Sequence, residues 1–142
     1  MFQREVGERI RAPRGSRNYG PLSAFSALYW RIIGHFRVAA GSFHPRPKVD
    51  AEVLVMEPRI PCDFDYAEER DVLAMVRAVF SAPRKTVRNS VAGGLDLDTQ
   101  TVEAALAKAS IDPSSRPAML CASELIALAR ILRPATSSGC RA

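Results

Sequence analysis

Apolar residues in the first half of the chain recur first with a helical and then with an extended period. Their four-residue spacing from Phe2 to Ile10 predicts a short amphipathic helix over residues 4–11. Pro21 follows a basic loop and suits the first turn of a second helix, because a helix leaves that N–H unused. We expect this second helix to continue through Ile33 and to be buried on more than one side.

Two short runs then alternate apolar and polar residues. They cover residues 33–38 and 49–55, and a period of two over this length predicts β-strands. The connection between them contains Phe43, with Pro45 and Pro47 just after it. Each proline fixes its own φ and favours an extended conformation in the residue before it, so we expect a stiff loop.

The second half of the chain has helical periodicity. A linker over 59–65 is followed by a predicted all-α bundle over 66–133, and the Ser/Gly-rich tail 134–142 is expected to be disordered. The predicted helices include one with the face Val72–Phe80, a short segment 84–92 ending at Gly93-Gly94, one capped by Asp98 or Thr99, and one capped by Ser123. We expect residues 1–58 to form an α/β part that consists of two helices and a β-hairpin-like strand pair.

The charge of the chain is concentrated at its beginning. The net charge is +5, but residues 1–48 alone hold nine basic and two acidic residues, a net +7. Nearly all the cations are arginine, whose planar guanidinium suits bidentate phosphate contacts and stacking on bases. A GC-rich genome would also favour arginine over lysine, but it does not explain the clustering. The clustering indicates an anionic partner.

Other function classes find no support in the 142 residues. No apolar run approaches a membrane span and the start lacks the apolar core of a signal peptide, so we expect a cytoplasmic protein with no membrane partner. The three cysteines and two histidines lack metal-ligand spacing, so we expect no metal site. No nucleotide-binding, hydrolase or metalloprotease motif is found.

Two features have the chemistry of a nucleic-acid contact. Phe43 on its stiff loop could stack on an unpaired base, or it could instead anchor the loop in the core. The cations Arg84, Lys85 and Arg88 lie in the first turns of a predicted helix, where they oppose the helix dipole. Phosphates could compensate them, or carboxylates from elsewhere in the chain could do so.

Several stretches form a collinear series of motifs over residues 1–133. They are Phe2–Ile10, Gly15–Ser23, Phe43–Asp50, Phe80–Ser90, Ile111–Pro117 and Leu125–Ala129. In that order they resemble the QKEVAERI, GSKDYGRLS, FxPxPKVDS, FSQRRKTLRN, ID…RPE and LSLEEFLRLA segments of the ribosomal RNA adenine dimethyltransferase family. Several separate motifs in the same order make a chance similarity improbable.

The resemblance implies an S-adenosylmethionine-dependent enzyme that dimethylates N6 of two adjacent adenines near the 3′ end of small-subunit ribosomal RNA, a step of ribosome biogenesis. It implies a Rossmann-like catalytic domain followed by a helical domain, with small-subunit ribosomal RNA or the subunit itself as partner. Phe43 matches the ring on which the flipped target adenine stacks. By the same resemblance, the RNA-binding residues are Arg46, Lys48, Arg84, Lys85 and Arg88.

Parts of the family pattern have no equivalent in these 142 residues. Missing are the glycine-rich cofactor turn, the acid that holds the ribose and the Asn-Leu-Pro-Tyr motif, and Gly7 replaces the usual alanine. We therefore expect a truncated chain, inactive alone, that binds no cofactor although the full-length family uses S-adenosylmethionine. The alternatives are a non-catalytic RNA-binding or ribosome-binding remnant and a decayed fragment without function.

Overall fold

The computed structural model describes residues 1–60 and 63–133; the tail predicted over 134–142 lies outside this range. The chain divides into two compact units. The first comprises Met1–Asp63 together with Ala118–Ala122, and the second comprises Phe64–Pro117 and the segment that begins at Ser123. Residues 118–122, which the sequence pattern placed within the helical part, therefore group with the α/β unit. No helix in the described ranges is long and apolar enough to cross a membrane.

The first unit is a three-stranded sheet with two helices. Its elements in chain order are β1 (Phe2–Gln3), α1 (Arg4–Ile10), α2 (Pro21–Tyr29), β2 (Trp30–Val38), a short 3-10 turn (Ala40–Ser42) and β3 (Ala51–Pro58). Both β1 and β2 pair antiparallel with β3, which is the central strand. The predicted helix 4–11, the helix start at Pro21 and the strand pair are thus confirmed, whereas β1 was not predicted.

Two element boundaries in this unit differ from the prediction. The helix expected to reach Ile33 ends at Tyr29, because Trp30 and the residues after it pair with the end of β3, starting opposite Pro58. β3 in turn extends through Glu57 and Pro58, which had the composition of a linker. Strand pairing decided both boundaries, overriding the local helical pattern and the proline.

The two faces of the sheet have different surroundings. Glu52 and Leu54 on β3 are buried, and Gly7 of α1 lies directly over the Glu52 side chain. One Glu52 oxygen accepts from Arg11 Nε at 2.9 Å and lies 3.2 Å from His35 Nδ1, while Oε2 has no hydrogen-bond partner. Glu52 is thus a buried carboxylate at a strand position that is normally occupied by an apolar side chain.

The second unit consists of four helices. They are α3 (Tyr66–Val79), α4 (Val87–Leu95), α5 (Thr99–Lys108) and α6 (Ala122–Leu132). Asp65 caps α3 in a capping box with Glu68, and Asp98 caps α5, which decides between the two residues predicted for that role. The hydrogen bonds that Arg130 donates lower the pKa of Glu68 to about 2 and link α6 to α3.

Two helix limits in the second unit correct the prediction. α4 starts at Val87 and passes through Gly93 and Gly94, where the sequence suggested an end. A Cβ on Gly94 would lie 2.6 Å from the Ala78 Cα, so glycine is required there by the close approach of α3 and α4. α6 begins at Ala122, one residue before the serine predicted to cap it.

Candidate nucleic-acid interface

The connection between β2 and β3 is fixed at both ends. Val38 pairs with Ala51 at its base. Beside this pair the Asp50 side chain accepts a hydrogen bond from the Ala40 backbone N–H at 3.0 Å, and the Asp50 carbonyl accepts one from Arg4 N–H at 3.0 Å. Asp50 therefore ties together the start of the loop, its end and the beginning of α1.

Phe43 lies at the edge of a cavity of about 730 Å³ in the first unit. Its side chain is half-buried, whereas the residues that follow it from His44 to Val49 are exposed. The cavity is lined by the loop and by the first residues of the chain, namely Met1–Gln3, Phe43, Pro45 and Lys48–Ala51 with Pro47. Phe43 is thus neither a fully buried anchor nor a free side chain: it lines a cavity that Lys48 also lines.

The two loop cations predicted to bind RNA have different positions. Lys48 lines the cavity, whereas Arg46 is exposed and is not among the lining residues. Neither has an ion-pair partner in the part of the chain that the structure describes. Both charges are therefore available to an anionic ligand.

Two of the three cations in the second cluster, Arg84 and Lys85, precede α4, and only Arg88 lies in its first turn. Thr86 is the N-cap, so Arg84 and Lys85 lie in the turn before the helix. The first helical N–H groups are occupied, because Val87 donates to the Ser115 carbonyl at 2.9 Å and Arg88 donates to the Pro113 carbonyl at 3.4 Å. The end of the helix thus has few free donors, and an anion would be bound by the side chains.

Arg88 differs from its neighbours because it has an acidic partner within the chain. Its Nη1 lies 2.5 Å from Glu103 on α5, whereas Arg84 and Lys85 are exposed and form no ion pair with any described residue. Of the three predicted cations, Arg88 therefore matches the alternative in which a carboxylate compensates the charge.

Arg116 joins this cluster, although sequence reasoning did not select it. It is exposed, and its guanidinium donates a hydrogen bond to the Arg84 carbonyl. Ser114 N–H and Oγ both donate to the Asp112 carboxylate, and these bonds hold the pKa of Asp112 below its usual value and shape the turn before Arg116. In the sequence, Arg116 could have been selected because it belongs to the Arg-Pro pair of the 111–117 motif.

The described residues do not fit S-adenosylmethionine. That cofactor needs a free acid for its ribose hydroxyls, but Asp50, the acid at the Phe43 cavity, accepts the Ala40 backbone N–H through its carboxylate. A second cleft of about 990 Å³ contains Glu5 and Glu8, which pair with Arg9 at 2.8 Å and with Arg37 at 3.1 Å respectively. Within residues 1–60 and 63–133, no three His, Cys, Asp or Glu side chains are grouped so as to hold a metal ion.

Comparison with solved structures places the fold among methyltransferases. A dimethyladenosine transferase from Plasmodium falciparum superposes with a TM-score of 0.72 at 22% identity, covering 89% of this chain and 53% of that one. The 23S rRNA methyltransferase ErmE superposes with a TM-score of 0.57, also at 22% identity, covering 92% and 52%. These identities establish similarity of fold alone.

Sequence comparison is more specific. The family described as ribosomal RNA adenine dimethylase matches residues 1–127. The ribosomal RNA small subunit methyltransferase A of Syntrophotalea carbinolica is 40% identical over 139 residues, 94% of this chain and 50% of that protein. The protein of the same name from Geobacter sulfurreducens is 37% identical over 139 residues, covering 97% and 50%. The chain spans about half the length of these curated relatives, and it belongs to the ribosomal RNA adenine dimethylase family.

Proposed function

We propose that this chain forms the RNA-facing part of an S-adenosylmethionine-dependent adenine N6-dimethyltransferase acting on small-subunit ribosomal RNA. In this proposal Phe43 is the ring on which the target adenine stacks, and Arg46 and Lys48 bind the adjoining phosphates. The observation that carries it is the half-exposed Phe43 at the edge of a cavity, on a loop tied down by Asp50. Family membership and the names of the relatives supply the substrate class.

The chemistry of the loop suits an unpaired base. Stacking of a base on an aromatic ring contributes about 1–3 kcal/mol and tolerates any base, so Phe43 would supply affinity and position. An exposed cation such as Lys48 next to the ring would add a phosphate contact that weakens as salt rises. In the second unit Arg84, Lys85 and Arg116 would bind a further stretch of RNA backbone.

S-adenosylmethionine supplies the transferred methyl group in this family. The side chains of this chain that would act in the reaction are those that bind the RNA, because the acids at its cavities are already occupied. The part assigned to Phe43 is to hold the adenine outside the base stack, where its amine is accessible.

Stacking on Phe43 can be measured with an RNA hairpin whose loop contains two adjacent adenines, one replaced by 2-aminopurine. Quenching of its fluorescence reports the stacked base, and titration gives the dissociation constant. Phe43→Ala should weaken binding by about 5-fold to 150-fold and abolish the quenching, which corresponds to the loss of about 1–3 kcal/mol. Phe43→Tyr should retain both.

The matched control is Phe25→Ala, since Phe25 is an exposed aromatic of the same unit that lies on α2 and does not line the Phe43 cavity. It should bind the hairpin like the unmodified chain. Equal affinity of the Phe43→Ala and Phe25→Ala variants would refute the stacking role.

The cations of the second unit differ in whether an acidic residue pairs with them, and this difference predicts different contributions to RNA binding. Lys85→Gln should reduce the slope of log affinity against log salt by about one, as expected for a lost phosphate contact. Arg88→Gln should leave the slope nearly unchanged, because Arg88 is paired with Glu103. Equal slopes for the two variants would contradict this division of roles.

A non-catalytic RNA-binding protein is the second candidate function. The occupied acids at both clefts favour it, since RNA binding needs none of them. Calorimetric titration of the chain with S-adenosylmethionine, together with methyl transfer from labelled cofactor to small ribosomal subunits, separates the candidates. RNA binding without cofactor heat or transfer by this chain alone is the result that this candidate requires.

A further inference from the structure

The start of β2 borders a third cavity of the first unit, with a volume of about 330 Å³, that shares no lining residue with the cavity at Phe43. Trp30, the first residue of β2, lines this cavity and is 40% exposed. Its indole forms no ring pair with another aromatic side chain in residues 1–60 and 63–133. A single exposed tryptophan is common on protein surfaces, so the surroundings of Trp30 decide what the cavity binds.

The wall around Trp30 is rich in arginine. Four arginines line the cavity, and no Asp or Glu is among the described residues that line it; the four are Arg11, Arg14, Arg31 and Arg59. The carboxylates that pair with three of these arginines lie outside the lining, namely Glu52 at 2.9 Å from Arg11, Glu57 at 2.7 Å from Arg31 and Asp63 at 3.8 Å from Arg59. A cavity wall of one charge sign attracts a ligand of the opposite sign, here an anion.

The ion pairs leave these guanidinium groups able to bind a further anion. Each guanidinium has five N–H donors, so an arginine that contacts one carboxylate can still donate to a phosphate. The Arg31–Glu57 pair joins two exposed side chains, and such pairs are weak in water. The Arg59–Asp63 distance of 3.8 Å is longer than a hydrogen bond. A phosphate that enters the cavity therefore competes only with weak contacts.

The walls of the cavity are fixed by hydrogen bonds within the first unit. The Arg59 N–H donates to the Tyr29 carbonyl at 2.8 Å, which holds Arg59 beside the start of β2. Another wall comes from the segment Ala118–Ala122, whose last two residues line the cavity. The Tyr19 hydroxyl donates to the Leu120 carbonyl at 2.9 Å and so anchors this segment. The cavity is thus formed before a ligand arrives, which lowers the entropic cost of binding.

We propose that this cavity binds one unpaired nucleotide of RNA, with the base stacked on Trp30 and the phosphates bound by Arg14, Arg31 and Arg59. Small-ligand sites have volumes of about 300–1,000 Å³, so this cavity suits a single nucleotide and is too small for a duplex. Stacking tolerates any base, and the arginine fork matches phosphate geometry. The inference rests on the proposed function and extends it by a second contact with the same RNA.

This nucleotide site is far from Phe43. Trp30 begins β2, whereas the loop that contains Phe43 follows Val38, the last residue of this strand. Eight steps of about 3.3 Å place the two ends of β2 about 26 Å apart. A stacked tetranucleotide, at about 3.4 Å per step, spans only about 10 Å. A ligand of this length therefore occupies one site at a time, and the Trp30 cavity can be tested by itself.

Fluorescence gives a direct test, because Trp30 is the single tryptophan of the chain. Titration with the tetranucleotide ApApApA should quench Trp30 saturably, with a dissociation constant that rises with salt. Phe43→Ala should leave this titration unchanged. AMP should bind more weakly than the tetranucleotide, because it offers one phosphate to several arginines.

The matched pair of variants is Arg31→Gln and Arg37→Gln. Both arginines lie on β2 and pair with a glutamate, at 2.7 Å and 3.1 Å respectively, but only Arg31 lines the cavity. Arg31→Gln should weaken the quenching affinity about tenfold or more and reduce the salt slope by about one. Arg37→Gln should change neither. Arg59→Gln is a second cavity variant with the same expectation as Arg31→Gln, and circular dichroism shows that each variant remains folded.

The stacking contribution is measured by the fluorescence anisotropy of a labelled tetranucleotide, in a chain that also carries Phe43→Ala. Trp30→Leu should weaken binding by about 5-fold to 150-fold. Phe25→Leu is the control, since Phe25 is 43% exposed and does not line the cavity, and it should bind like the parent chain. Three outcomes overturn the proposal: no saturable quenching of Trp30, equal effects of Arg31→Gln and Arg37→Gln, or tighter binding of AMP than of the tetranucleotide.

Failure of this inference is distinguishable from failure of the proposed function. Stacking on Phe43 is read from the 2-aminopurine of the hairpin, whereas occupation of this cavity is read from Trp30. A chain that quenches 2-aminopurine but shows no response of Trp30 lacks the second nucleotide site only. A chain in which RNA quenches Trp30 but the Phe43→Ala and Phe25→Ala variants bind the hairpin equally retains this site and lacks the stacking role of Phe43.

Discussion

Gly7 should be intolerant of the smallest substitution, because it lies directly over a buried carboxylate. A Cβ at this position would lie 2.4 Å from Glu52 Oε2 and 2.9 Å from Glu52 Cβ. Glu52 is fully buried and is held by Arg11 at 2.9 Å, so it has no room to swing away. Gly7→Ala therefore forces either α1 away from the sheet or Glu52 out of its ion pair.

The expected magnitude follows from two opposing terms. Insertion of a methyl group into a filled space costs about 1–3 kcal/mol, and the upper half of that range applies because Glu52 Cβ is fixed to the strand backbone. Alanine returns about 1 kcal/mol through its higher helix propensity. The net loss of about 1–2 kcal/mol should lower the urea midpoint by about 1 M for a slope typical of small domains.

Urea unfolding followed by the fluorescence of Trp30 reports the first unit, because this single tryptophan lies on β2. Gly41→Ala is the control, since nothing lies within 4 Å of a Cβ built there, and its midpoint should not fall. The double variant Gly7→Ala with Glu52→Ala should recover part of the loss. A Gly7→Ala midpoint at or above that of the unmodified chain would refute the reasoning.

Three further predictions concern the second unit. Gly94→Ala should destabilise it by about 2 kcal/mol or more, measured by urea unfolding with circular dichroism, because the added atom would lie 2.6 Å from the Ala78 Cα. Glu68 has a pKa of about 2 in the folded chain, lowered chiefly by the hydrogen bonds of Arg130, so its stabilisation is present above pH 4.5 and lost as pH falls towards 2. Glu68→Gln should therefore flatten the fall in urea midpoint between pH 5 and pH 2. Asp98→Ala removes the α5 cap and should cost about 1 kcal/mol in the same unfolding assay.

The order of the elements could be predicted because most of them carry their own periodicity and caps. The exceptions depended on partners distant in sequence. Ile33 has the apolar spacing of a continuing helix, yet its segment lies in β2 because β3 offers backbone hydrogen bonds to the chain from Trp30 onward. By sequence Gly94 indicates the end of a helix. In the structure it lies within α4, because only a glycine permits the close approach of α3 at this position.

The residue types of the candidate site could be predicted from the sequence, but the contacts that these residues make could not. Phe43 stood out because prolines follow it, but the bond between Asp50 and Ala40 that ties its loop links residues ten apart with no sequence signature. Arg88 could not be told from Lys85 by sequence, since the carboxylate that pairs with it belongs to Glu103 on another helix. The pairing of Arg88 depends on the neighbouring helix α5 and is not encoded in the spacing of residues around Arg88.

The hydrogen bonds of Asp50 have a consequence for binding that reaches beyond the loop itself. A flexible loop must be ordered when a ligand binds, at an entropic cost of about 1–2 kcal/mol for each residue fixed. Here the loop around Phe43 is already ordered by the fold, so a stacking partner does not bear that cost and the site is preorganised. Affinity for a base at Phe43 is thus set partly by residues that never touch it: loss of the Asp50 carboxylate would weaken binding without removing a single ligand contact.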